Sequence, residues 1–176
     1  AASVLPHIVA YTRVNGSEVT LVRVLESDPA APAQHDPVDW HLRKAEAQSY
    51  LEQVAGELSQ FDLNVQTDVL EGPIADRVIE YALRHEYDLI ALSSHGYSGL
   101  TGWTVSSVAQ KVIARSRKSI LFVPAYQNAT EPSHALAPIQ YKKILVPLDG
   151  SLRAESVLAK AAALAKHHEA ELCLTY

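Results

Sequence analysis

Hydrophobic positions along the chain switch repeatedly between two periods. Short apolar or alternating runs occur at Val19 to Leu25, Leu63 to Leu70, Leu89 to Leu92, Ile120 to Val123 and Lys142 to Leu148. Each has strand length and is bounded by turn residues. Between them the spacing becomes helical, over Val4 to Val14, Trp40 to Phe61, Ile74 to His85 and Val105 to Arg115. The second of these carries Ala45, Tyr50, Leu51, Val54, Ala55 and Leu58 on one side. Glycine and proline punctuate the series. Gly16 suits a helix end, and Pro73 suits a first helical turn. Pro6 costs a hydrogen bond unless it falls in the first turn of its helix. Glu26 to Val38 holds Pro29, Pro32 and Pro37 and reads as a loop. Strands alternating with helices predict an α/β fold with a parallel sheet covered on both faces.

One stretch carries candidate chemistry. The apolar run Leu89 to Leu92 is followed by Ser93-Ser94-His95-Gly96-Tyr97-Ser98-Gly99, and a helix opens near Thr104 to Ser107. A strand, a loop of small residues and a helix N-terminus form an anion site. Loop N–H groups point at the ligand, and the helix dipole favours negative charge. The same residues also serve simply to turn the chain, and both readings stand at this point.

The chain also repeats itself. Without a gap, Ser3 falls on Ser156, Val4 on Val157 and Leu5 on Leu158. The same offset carries Ala10 onto Ala163, Glu18 onto Glu171 and Leu21 onto Leu174. A fixed offset through a helix, a turn and a strand points to duplication at a domain-sized period. The second copy is preceded by Lys142-Lys143-Ile144-Leu145-Val146-Pro147-Leu148-Asp149-Gly150-Ser151, a strand ending in a turn. The expected organisation is therefore residues 1–124 as one domain without its first strand, 125–140 as a linker, and 141–176 as the first strand, helix and second strand of another copy.

The stretch Asp88 to Ala109 resembles the universal stress protein family. ATP-binding members of that family carry Gly-x-x-Gly, nine residues, then Gly followed by Ser or Thr. Gly96 falls on the second glycine, Tyr97 to Val105 supply the nine residues, and Ser107 matches the hydroxyl residue. Ser93 and Ser106 stand where the other two glycines would be. Pro147, Leu148 and Asp149 match the Pro-x-Asp that closes the family's first strand.

The resemblance implies a doubly wound, flavodoxin-like parallel sheet of five strands in three α/β/α layers, of adenine-nucleotide-binding type. It implies a pocket at the strands' carboxyl ends. Pro147 and Asp149 would stand on one side, with Leu92, Ser94, His95, Gly96, Ser106, Ser107, Val108 and Ala109 on the other, and Val24 against adenine. Asp149 would accept from ribose or adenine, while Ser107 and the N–H groups of Val108 and Ala109 would hold phosphate. Asp149 also reads as a turn residue in Asp-Gly-Ser. Ser93 and Ser106 add a Cβ where glycine lets the backbone approach a phosphate, so ATP is expected to bind weakly or not at all. AMP and ADP are the alternative ligands, with Mg only alongside a nucleotide.

Composition narrows the rest. The formal net charge is −5, which argues against a nucleic-acid surface needing a basic stripe. No apolar run approaches the roughly 18 residues of a membrane span. The lone Cys173 excludes an internal disulfide and fits a cytoplasmic protein. The eight histidines have no metal-ligand spacing, and no nucleophile elbow or Walker lysine occurs. The leading expectation is a non-enzymatic, stress-associated nucleotide-binding or regulatory protein. An interaction module independent of ATP, or a slow adenine-nucleotide hydrolase, are the alternatives. A homodimer is expected through the edge Ile120 to Val123. Ile144 to Leu148 is expected to fill the central slot of the sheet, in its own chain or in a partner by strand swapping.

Overall fold

A computed structural model of the chain describes residues 2–26, 37–94, 106–124, 136 and 139–176. The expected contributions of His95 and Gly96, and most of the expected linker, lie outside these residues. The chain divides into two compact units. One comprises Ala1–Leu5 with Glu18–Leu136, the other Pro6–Ser17 with Ala137–Tyr176.

The first unit holds two parallel strand pairs. Strand β1 (Val19–Leu25) pairs with β2 (Val65–Glu71), Val19 lying opposite Val65 and Leu25 opposite Glu71. Strand β3 (Leu89–Ser93) pairs with β4 (Ser119–Val123), Leu89 lying opposite Ser119. Helix α2 (Pro37–Ser59) packs on β1 and β2. It buries Ala47, Leu51, Val54 and Leu58, a stripe at helical spacing. Helix α3 (Ile74–Arg84) lies on the same two strands and against α4 (Ser107–Arg115). There Ala75, Ala82, Ile90 and Val112 form a core, with Val78, Ile79, Tyr87, Leu92, Val108 and Ile120 packed around it. Polar groups in this packing are paired. The Tyr87 hydroxyl donates to Thr20 Oγ1 at 2.7 Å, and the Tyr81 ring stacks on Tyr87 at 5.8 Å. Burial first, and then the neighbouring Asp68 carboxylate and Tyr87, push the Tyr81 hydroxyl well above its ordinary pKa.

The second unit contains α1 (Leu5–Asn15), β5 (Lys143–Pro147), the short α5 (Leu152–Glu155), α6 (Leu158–His168) and β6 (Glu171–Thr175). Leu5 itself is assigned to the first unit. Strands β5 and β6 run parallel, with Leu145 opposite Cys173. The offset seen in the sequence carries the bounds of α1 onto those of α6. It also carries Gly16, at φ +60°, onto Glu169, at φ +52°. Both helices therefore end in a left-handed residue, a conformation that glycine adopts without strain and glutamate does not. Pro6 falls in the first turn of α1, where its absent N–H is no loss.

The expected five-stranded sheet is not found. Among the described residues there are three two-stranded parallel sheets. Ile144 to Leu148, expected to fill a central slot, contributes β5, which pairs with β6. The two strands of that pair are joined by one helical crossover, so their pairing closes a short loop. Smaller shifts have local causes. Helix α2 starts at Pro37 rather than Trp40, because proline suits a first helical position. Helix α4 starts at Ser107 rather than Val105, because Ser106 caps it.

Candidate functional site

The carboxyl end of the β3–β4 pair is built around two serines. Ser94, immediately after β3, is 6% exposed. Its N–H donates to the Val123 carbonyl at 3.0 Å, and its carbonyl accepts from the Ser106 N–H at 2.9 Å. The second bond clasps the entry and exit of the intervening loop, so α4 starts beside the end of β3. Ser106 has φ −57° and ψ 148°, and its side chain accepts from the Ala109 N–H at 3.2 Å. That is an N-cap in extended backbone. The N–H groups of Ser107 and Val108 remain at the first turn with no partner among the described residues. Helix geometry aims them out of the N-terminus.

The Ala109 N–H, expected to hold phosphate, is engaged by the cap. Val108 and Leu92 turn their side chains into the core around Ile90. Only their backbone is therefore left for contact with a ligand. Ser107 is exposed, and Ala109 is 3% exposed. Val24 lies near the end of β1, opposite Leu70 on β2. No positive φ is required at Ser106, so glycine is not needed there for its backbone. Its hydroxyl turns back onto its own helix, which removes part of the reason for expecting it to crowd a phosphate.

In the second unit Pro147 ends β5 opposite Thr175. Asp149 is exposed and Oδ1 accepts from the Ser151 N–H at 2.9 Å. Gly150 takes φ +78°, and Ser151 in turn accepts from the Ala154 N–H at 3.1 Å to cap α5. Side-chain and backbone hydrogen bonds from Ser151 hold the Asp149 carboxyl below its ordinary pKa. The turn reading of Asp149 is thus realised, with the cap itself supplied by Ser151. Cys173 sits beside Glu171, Sγ to Oε1 at 3.5 Å, and that carboxylate raises the thiol pKa. A raised pKa suits an inert cysteine.

One feature escaped the sequence reading. A groove of about 300 Å³ lies between Val69, Leu70 and Glu71 of β2 and Arg77, Glu80, Tyr81 and Arg84 of α3. Glu80 bridges both arginines, at 2.8 Å to Arg77 and 2.7 Å to Arg84. The i, i+3, i+7 spacing of Arg77, Glu80 and Arg84 signals that stripe in the sequence. Gly72, at φ +124°, leaves room for the Arg77 side chain, whose Nε would lie 2.8 Å from a Cβ placed there. Among the described residues no cluster of His, Cys, Asp and Glu could hold a metal ion. No described helix is long and apolar enough to cross a membrane.

Several known proteins are similar to this chain. A universal stress protein of Methanocaldococcus jannaschii is 28% identical over 123 residues, covering 66% of this chain and 71% of its own. The crystal structure of a universal stress protein from Archaeoglobus fulgidus DSM 4304 superposes with a TM-score of 0.71 at 18% identity. That match covers 98% of this chain and 60% of the other. A universal stress protein from Archaeoglobus fulgidus in complex with dAMP matches with a TM-score of 0.53 at 17% identity, over 69% of this chain and 86% of the other. The model of the universal stress protein family matches residues 1–124 and 140–176, and with nearly its whole length matched, the chain belongs to that family.

Proposed function

We propose that this protein binds an adenine nucleotide at the carboxyl ends of its strands and acts as a regulatory binding protein rather than an enzyme. The observation that carries this reading is the clasp between Ser94 and Ser106. It fixes the first turn of α4 beside the end of β3, with the Ser107 and Val108 N–H groups directed outward. Two such donors and the positive end of a helix dipole suit a phosphate. The Ser107 hydroxyl adds a further donor, and Val24 offers an apolar contact to a base. The dAMP-bound relative from Archaeoglobus fulgidus supports a mononucleotide as ligand.

AMP, ADP and ATP remain the candidate ligands, with His95 and Gly96 expected to close the phosphate side. Asp149 and Pro147 are the expected ribose and base contacts in a domain that contains the first strand. Bound nucleotide is expected to stay intact, since no residue of the reading supplies a positioned base. Calorimetry with AMP, ADP and ATP, together with mass spectrometry of ligand retained through purification, tests the proposal. Binding is expected, and Ser107→Glu should abolish it by setting a like charge against the phosphate. No heat with any adenine nucleotide, or unchanged affinity in Ser107→Glu, would overturn it.

A further inference from the structure

The outer edge of β2 has no strand partner among the described residues. Strand β1 takes the inner edge along its whole length, from Val65 to Glu71. A strand added beyond β1 would leave the outer edge of β2 as it is. Backbone bonds fix which groups face outward. The Asn64 carbonyl accepts from the Val19 N–H, and the Gly72 N–H donates to the Leu25 carbonyl, both at 3.0 Å. Alternate residues of a parallel strand turn their backbone groups to the same neighbour. Gln66, Asp68 and Leu70 therefore face β1. Val65, Thr67, Val69 and Glu71 present their N–H and carbonyl groups to the outer side. Neither proline, lysine nor a bulge interrupts this strand to protect its edge. Val69 and Glu71 line the groove whose other wall is Arg77, Glu80, Tyr81 and Arg84 of α3.

We propose that this edge receives an extended, acidic segment of a partner protein, which adds to the sheet as a further strand beside β2. The charges of the groove select that occupant. The Glu80 carboxylate accepts from Arg77 Nη1 at 2.8 Å and from Arg84 Nη2 at 2.7 Å. Two guanidinium groups thus share one carboxylate, although each carries five N–H donors. Glu71 is matched by Lys44 at 3.2 Å. Asp68 is held by the Tyr81 hydroxyl and is not among the groove's lining residues. The arginine stripe therefore has donors and positive charge to spare. Arg77 and Arg84 are seven residues apart, about 10.5 Å along the helix. Carboxylates at alternate positions of a strand share a face at a spacing of about 6.7 Å. The arginine side chains, 46% and 70% exposed, are long enough to converge on such a pair. Main-chain bonds to β2 supply the affinity, and the charge-assisted bonds to arginine supply the selection.

The test uses the full chain and a capped, fluorescent peptide in which glutamate alternates with valine over the length of β2. Anisotropy should show saturable binding, with amide exchange slowed at Thr67, Val69 and Glu71. The same peptide with lysine for glutamate should not bind. Arg77→Glu combined with Arg84→Glu should weaken binding by about tenfold or more, with unchanged circular dichroism. A second measurement needs no altered protein and separates strand addition from simple ion pairing. Two peptides are N-methylated at alternate residues in opposite phase, and one should bind while the other does not. No binding, equal binding of the two phases or of the lysine peptide, or undiminished binding by the arginine variant would overturn the proposal. So would a dimer of the protein, seen by sedimentation, that the peptide dissociates, because a second copy would then be the occupant. No nucleotide is present, so the outcome is separate from the nucleotide-binding function.

Discussion

Ser106 decides how the candidate phosphate site is built. In the family pattern its position is a glycine, and the sequence suggests crowding. The structure gives it φ −57° and a side chain bonded to the Ala109 N–H. A cap of this kind contributes about 1 kcal/mol, and glycine in its place loses only a few tenths. Ser106→Ala is therefore expected to lower stability by about 1 kcal/mol in urea unfolding, and Ser106→Gly by much less. Equal losses in the two variants would show that the hydroxyl is not capping α4. The reading also changes the outlook for glycine substitution at this position. In the proposed site, backbone access to a phosphate rests on Ser107 and Val108, whose N–H groups are outside the cap.

At the scale of elements, burial and hydrogen bonding explain what the sequence made visible. Strand β1 and the start of α3 were legible to the residue, because apolar positions end abruptly at Glu26 and Pro73 fixes a first turn. Helix α2 was legible through its stripe, and Leu58, fully buried, shows what that stripe contributes. Leu58→Ala is expected to cost about 2–5 kcal/mol, from lost transfer energy plus the cavity left behind. A measured loss below about 1 kcal/mol would mean that α2 does not close the β1–β2 core. Two features were not legible. Which strands pair is a long-range property: β5 carries the pattern of a central strand, yet pattern alone cannot choose between β6 and another edge. The N-terminal limit of α4 was also misplaced, because a serine that caps and a serine inside the first turn look alike in sequence. Of the candidate site, the Ser106–Ala109 segment was singled out in the sequence as an expected phosphate contact, while the Arg77–Glu80–Arg84 groove was missed because its charges read as an ordinary solvated face.

The second unit carries a pair of histidines that couples its fold to acid. In the second unit the His7 Nδ1 lies 2.7 Å from the Tyr141 hydroxyl, and Tyr141 meets the ring of His168 edge-on at 4.8 Å. His168 is 6% exposed, and its Nε2 has no hydrogen-bond partner among the described residues. Burial lowers the pKa of both histidines from the ordinary value of 6.5, and His167 beside His168 lowers the latter further. Each histidine is therefore neutral in the fold where the unfolded chain already binds a proton. Stability from this cluster is complete above pH 6.5 and is lost as the pH falls through the lowered values. Both tryptophans, Trp40 and Trp103, fall in the first unit's span, whereas Tyr141 reports on the second. Acid titration should therefore raise amide exchange in residues 6–17 and 139–176 at a higher pH than it shifts tryptophan fluorescence. His168→Leu should move the exchange transition to lower pH and leave the fluorescence transition in place, since an apolar side chain has no proton to take up in the buried site. Coincident transitions in the unaltered protein, or an exchange midpoint unmoved by His168→Leu, would show that acid sensitivity does not originate in this cluster.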